Sequence, residues 1–179
     1  MATPIEMQLK HLPPSVRRRC EKALGIAKPE REHKVFVYGT LIAGERNAHW
    51  AGNARRQKAW TLGTIHDTGY GYPAYQKRGR TRIVGEVLTV GDDGFRSMDR
   101  LEGYPSLYRR EQIQVHLVGG GNVLAWVYIM NRLPDGAPVI ESGDWVAYRK
   151  SKDGSTPTDG RKNNLAGRGE TRRLKAELP

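Results

Sequence analysis

Between residues 35 and 148 the chain alternates short apolar runs with breaks marked by glycine and charge. Val35-Phe36-Val37-Tyr38 is an unbroken apolar run rich in strand-forming residues, and it stops at Gly39-Thr40-Leu41. The pattern predicts further strands over 59–65, 82–90, 111–118 and 123–130. The last two flank Gly119-Gly120-Gly121-Asn122, a hairpin turn in which glycines supply positive φ. Between the strands at 82–90 and 111–118, Phe95, Met98 and Leu101 recur at helical spacing, and Gly103 and Pro105 break the helix they predict. A second short helix is expected over 14–25. Ser15 would cap it, Val16, Cys20, Ala23 and Leu24 would share a face, and Gly25 would end it. Strands dominate and no long helices alternate with them. The expectation is an α+β domain, a small closed or half-closed antiparallel barrel with short helices at its side.

Composition divides the chain in three. Hydrophobic residues make up 37% of the 179 residues, below the roughly 45–50% (glycine included) of a wholly globular chain, so part of the length is not core. The net charge of +11 is uneven: residues 1–34 carry +4, 35–148 carry +2 and 149–179 carry +5. Residues 1–34 read as a basic N-terminal extension with a short helix, and 35–148 as the folded domain. Residues 149–179, rich in small polar and charged residues, read as a basic, disordered tail. A fold that reads nucleic acid would carry the charge itself. The basic ends are expected to make only weak contacts with nucleic acid or acidic surfaces. No apolar run approaches the ~18 residues of a membrane span, and the first residues carry Glu6 and prolines rather than a signal-peptide core. The lone cysteine, Cys20, allows no internal disulfide, which fits a cytoplasmic setting.

Familiar catalytic patterns are missing. The five histidines show no zinc spacing, and there is no G-x-S-x-G, no Walker sequence and no G-x-G-x-x-G after a strand. Neither metal nor cofactor is expected. Two features remain. The turn after the first strand, Tyr38-Gly39-Thr40-Leu41, would let backbone N–H groups approach an anion or a developing oxyanion. Glu102, at the C-terminal end of the predicted helix, faces the negative end of the macrodipole, which disfavours its ionisation and suits a general base. Taken singly, each has a simpler reading: an ordinary turn, and a solvated glutamate paired with Arg109 or Arg110.

Taken in order, the motifs resemble the gamma-glutamylcyclotransferase-like superfamily. They run VFVYGTL at 35–41, Asn47, Leu62-Gly63, Gly71-Tyr72-Pro73-Ala74 and Val84-Gly85-Glu86-Val87. They continue with Met98-Asp99-Arg100-Leu101-Glu102-Gly103-Tyr104, Tyr108-Arg109-Arg110, Ala125-Trp126-Val127-Tyr128 and 140–145. The likeness covers roughly 35–148 and is strongest to the small bacterial branch carrying YGTL and D-x-L-E-G. Met98 stands where that branch usually has leucine, and the basic ends lie outside its pattern.

The resemblance implies a small mixed, mostly antiparallel β-barrel with flanking short helices. It implies a substrate loop of Tyr38, Gly39, Thr40 and Leu41, Glu102 as catalytic acid/base, and cyclisation of a small-molecule gamma-glutamyl amide to 5-oxoproline without a cofactor. Tyr108 and Arg109 are expected to line or brace the site, with Tyr38 and Tyr128 as walls. The alternative is a non-catalytic module binding a small ligand or a protein on the same fold, tethered by its basic ends. The acceptor amine and the oligomeric state stay open at this point. Loops near 44–56 and 75–81 are the expected seat of specificity.

Overall fold

The computed structural model describes residues 4–26 and 31–154. Two helices come first, α1 (Pro4–Leu9) and α2 (Pro14–Ala23), then strand β1 (His33–Val37) and a short 3-10 helix (Ala48–Ala51). Strands β2 (Arg55–Asp67) and β3 (Pro73–Val90), helix α3 (Asp92–Leu101), strands β4 (Tyr108–Leu117) and β5 (Asn122–Met130) and helix α4 (Trp145–Gly154) follow. The strands close a five-stranded barrel in the order β1-β3-β2-β4-β5. Neighbours pair antiparallel except at the closure, where β1 meets β5 in parallel at Val35 and Trp126. The fold is therefore the mixed barrel with flanking short helices that the sequence leads one to expect.

The apolar run of β1 has a physical reason. Phe36 and Tyr38 join the cluster that fills the barrel, with Ile65, Tyr75, Ile83, Val115 and Val127. Val35 and Val37 point the other way, into a second cluster with Leu88, Phe95, Met98 and Tyr108. A strand buried on both faces needs no polar alternation. Phe95 and Met98 form the buried face of α3, so that helix lies on the barrel wall beside the end of β1.

Three expectations need correction. Ser15 is not the cap of α2: Pro13 holds that position and no side chain caps the helix, while Gly25 (φ +68) does end it. Residues 75–81 are not a loop but part of β3, which starts at Pro73. A register shift between Gly63 and Thr64 leaves 77–80 bulged out of the β2–β3 pairing. The stretch is all polar apart from its glycine and reads as a loop for that reason. The expected boundary after Tyr148 is crossed by α4, which continues to Gly154. The remainder of the expected disordered tail lies outside the described residues. No helix among the described residues is long and apolar enough to cross a membrane.

Candidate active site

Two chain reversals build the site. The first follows β1, where the chain turns over the start of β3. A Cβ on Gly39 would stand 2.8 Å from Cγ and Cδ of Pro73, so only glycine allows this crossing. The second follows α3. Glu102 still has helical backbone angles (φ −81, ψ −3), and Gly103 then takes φ +60. The Gly103 N–H donates to Arg100 O (3.2 Å) and the Tyr104 N–H to Asp99 O (2.9 Å), the pair of bonds of a Schellman ending. That ending sets Glu102 on the wall of a cavity of about 210 Å³, shared with Tyr38 through Leu41, Tyr108 and Tyr128. The two features singled out in the sequence thus face one space.

Every polar side chain of the loop is anchored. Tyr38 is buried; its hydroxyl donates to Tyr128 O (2.9 Å) and accepts from Tyr75 N–H (3.1 Å). Asn47 donates from Nδ2 to Thr40 Oγ1 (3.0 Å) and from its main chain to Thr40 O (3.0 Å). Arg56 donates to Leu41 O and Ala48 O (3.0 Å each) and pairs with Glu86 at 2.7 Å; Glu86 also accepts from Ala43 N–H at 3.2 Å. Among the described residues, by contrast, no acceptor takes the backbone N–H of Gly39, Thr40 or Leu41. These donors are free for a ligand.

At the other wall the arrangement is inverted. The Glu102 main chain is bonded, its N–H donating to Met98 O at 2.9 Å, while its carboxylate has no hydrogen-bond or ion-pair partner among the described residues. Arg109 and Arg110, the expected partners, go elsewhere: Arg109 to Glu111 (3.1 Å) and Arg110 to Asp99 (3.0 Å). Burial pushes the Glu102 carboxyl up to about 7. Loss of water around the carboxyl, rather than the helix end alone, is the cause. Tyr108 is buried next to it, its phenol pushed above the ordinary tyrosine range by burial first and by the Glu102 charge second. Its hydroxyl also lacks a protein partner among the described residues.

Asp99, one helical turn before Glu102, links the two walls. It accepts from the Tyr128 hydroxyl (2.7 Å) and from Arg110, and Tyr128 O in turn holds Tyr38. The Arg110 guanidinium lies 4.1 Å from the ring centre of Tyr104 and 4.5 Å from that of Phe95, which immobilises it by cation–π contact. The sequence reading has Asp99 and Glu86 as motif members without a part of their own, and Arg56 only as the end of the loop 44–56 expected to carry specificity. One signal was available for Glu86: it is the only charged residue from Ile83 to Val90. Among the described residues no three His, Cys, Asp or Glu side chains sit together as metal ligands would.

Residues 35–147 match a model of the family described as gamma-glutamyl cyclotransferase, AIG2-like. The chain is 34% identical over 123 residues to the gamma-L-glutamyl-butirosin B gamma-glutamyl cyclotransferase of Niallia circulans, covering 64% of this chain and 76% of that protein. It superposes on an AIG2-like protein from Mus musculus with a TM-score of 0.54 and 26% identity, over 64% of this chain and 89% of the mouse chain. YkqA from Bacillus subtilis shares the fold, with a TM-score of 0.57 and 24% identity over 70% of this chain; the match spans only 44% of YkqA.

Proposed function

Since the chain belongs to the gamma-glutamyl cyclotransferase, AIG2-like family, we propose that it cyclises a gamma-glutamyl amide to 5-oxoproline and releases the free amine, with Glu102 carrying the proton. The observation that carries this reading is the unpartnered Glu102 carboxyl, raised to about 7, in one cavity with the free N–H groups of Gly39, Thr40 and Leu41. A structural glutamate would be paired, and a loop with no ligand would satisfy its own donors.

The substrate's α-ammonium cannot attack until it loses a proton. Glu102 as carboxylate takes that proton, and the amine nitrogen then forms a bond to the γ-carbonyl carbon. Folding the glutamyl chain inside the cavity makes the attack unimolecular, for which effective molarities reach on the order of 10⁵ M or more. Negative charge moves onto the γ-oxygen, where the loop N–H groups stabilise it; loss of one such donor costs roughly 3 kcal/mol. The bond to the leaving nitrogen breaks as protonated Glu102 returns its proton to that nitrogen, and the carboxylate so restored passes the second proton of the ring nitrogen to the departing amine, which leaves as an ammonium. Protons and electron pairs balance within the substrate and one carboxyl, so the reaction as written uses no cofactor. Tyr38 acts through its wall position rather than its hydroxyl, which is already engaged. Tyr108 bounds the space beside Glu102. A cytoplasmic setting is part of the proposal and is supported by the unpaired Cys20.

The test is mass-spectrometric detection of 5-oxoproline from gamma-glutamyl amines, dipeptides and glutathione, with wild type and Glu102→Gln side by side. Release by wild type alone is the expected result. Release by both proteins overturns the role of Glu102. Ligand-induced thermal stabilisation without product replaces the enzyme with a binding module.

A further inference from the structure

Two unsatisfied groups of opposite kind stand near one another at the end of α3 and do not meet. One is the Glu102 carboxyl, buried and without a partner among the described residues. The other is Arg110, whose Nε is buried and finds no acceptor among those residues. Asp99 keeps them apart. It sits three residues before Glu102, which still has helical angles, so the two carboxyls share one face of the helix with Cβ atoms about 5–6 Å apart. Arg110 and Tyr128 are cross-strand partners on β4 and β5. Each takes one oxygen of Asp99: Arg110 Nη1 donates to Oδ2 (3.0 Å) and the Tyr128 hydroxyl to Oδ1 (2.7 Å). The ion pair is largely out of water, the Arg110 side chain 17% and the Asp99 side chain 20% exposed. The rings of Phe95, Tyr104 and Trp126 close round the guanidinium, that of Trp126 at 5.4 Å.

We propose that Asp99 is a positioning residue for the reaction: by holding Arg110 it keeps a cation off the Glu102 carboxyl and leaves that carboxyl free to take the substrate's proton. The inference rests on the cyclotransferase reading and adds to it the residue that keeps the base a base. A glutamate paired with a buried guanidinium holds its proton too weakly to serve as one. A buried arginine with no carboxylate at all is an uncompensated charge. Asp99 meets both conditions at once. An ion pair serving packing alone has no reason to strand the Arg110 Nε while an open carboxyl stands one helical turn away. The other charged and titratable groups around Glu102 do not supply a cation in its place. Tyr38, Tyr108 and Tyr128 are phenols that burial pushes above the ordinary tyrosine range. Tyr72 is a further phenol of the cavity, and Arg46 is exposed on the loop side, where solvent screens its charge.

Charge fixes the direction of each test. Asp99→Asn still accepts from Tyr128 but removes one negative charge and releases Arg110, so Glu102 ionises more easily. Arg110→Met removes the cation and leaves Asp99 as a like charge beside Glu102, which then ionises less easily. Combining the two substitutions restores the net charge. Glu102 is titrated directly by NMR on protein isotope-labelled at the glutamate carboxyl, with Glu102→Gln identifying its signal. Relative to wild type, the midpoint is expected to fall by about one pH unit or more in Asp99→Asn and to rise by about one in Arg110→Met. In the double variant it should return to within about half a unit. The rise of kcat/KM with pH should follow the midpoint in each protein. Opposite shifts that cancel cannot be produced by misfolding. A midpoint that stays in place in both single variants, or moves the same way in both, overturns the inference and leaves Asp99 and Arg110 a packing pair. Midpoints that move as stated in a protein that releases no 5-oxoproline sustain the isolation of Glu102 by Asp99 and overturn the cyclotransferase reading instead.

Discussion

The two walls of the site divide main chain and side chain in opposite ways. On the loop after β1 the polar side chains are tied down: Tyr38 to Tyr128 and Tyr75, Thr40 to Asn47. The main-chain donors of Gly39 to Leu41 are left open. At the end of α3 the main chain is closed by the Schellman bonds, and the Glu102 side chain is left open. A folded chain leaves buried polar groups unsatisfied only at a cost. Two unsatisfied sets facing one cavity are what supports the proposed reading, in which the substrate completes the bonding. The loop offers rigid donors that bear no titratable proton, and the helix end offers one group that can hold or release a proton.

If that division is right, the largest effect belongs to Glu102→Gln. The amide keeps the shape but cannot accept a proton, so turnover should fall by about 10³-fold or more, with the circular dichroism spectrum unchanged. The next largest should come from the loop backbone. Gly39→Ala adds a Cβ 2.8 Å from the buried Pro73 ring, so the chain must shift and carry its N–H groups with it. A fall in kcat/KM of about 100-fold is expected, with a stability cost of about 1–3 kcal/mol by urea titration. Unchanged activity in Gly39→Ala would mean that the open donors are not used.

The division also predicts how stability responds to pH. Folding raises the Glu102 pKa from 4.5 to about 7. Between these values the unfolded chain has released its proton while the folded one retains it, so the native state loses stability as pH rises through that window. Glu102→Gln removes the penalty. The variant should be more stable than wild type at pH 8, by on the order of 2 kcal/mol after allowance for partial solvent access, and about equal to it at pH 4. Melting curves at the two pH values measure the difference. In the same window, wild-type kcat/KM should rise with pH and level off above about 7 as the carboxylate forms. A variant of equal stability at both pH values would mean that the carboxyl is solvated.

Legibility in the sequence followed the range of the interactions. Strands β1, β4 and β5 and helix α3 announced themselves because burial of alternate or helically spaced residues leaves a local pattern. The closure of β1 on β5, and with it the mixed character of the barrel, rests on a parallel contact between Val35 and Trp126 that no local pattern encodes; the family resemblance supplied it. Helix α4 (Trp145–Gly154) was missed because Arg149 and Lys152 look like solvated charge. Their partners, Glu45 and Asp67, lie 104 and 85 residues away. Glu102 was found by its place before Gly103, but its isolation was not. Only the structure shows Arg110 drawn off to Asp99 and held among aromatic rings. The frame of Arg56 and Glu86 behind the loop was hidden for the same reason, since 30 residues separate the two.

The smallest expected effect is the sharpest test of the comparison. Thr40 sits in the proposed substrate loop as centrally as Gly39, yet its hydroxyl is spent on Asn47 and only its N–H is open. Thr40→Val deletes the hydroxyl, keeps the β-branched shape and leaves the backbone donor in place. It should cost about 1 kcal/mol of stability and lower kcat/KM by no more than about fivefold, while Thr40→Ser restores the bond and the activity. A loss as large as that of Glu102→Gln would make the hydroxyl a direct partner of the substrate, and the division between an open main chain on one wall and an open side chain on the other would no longer hold.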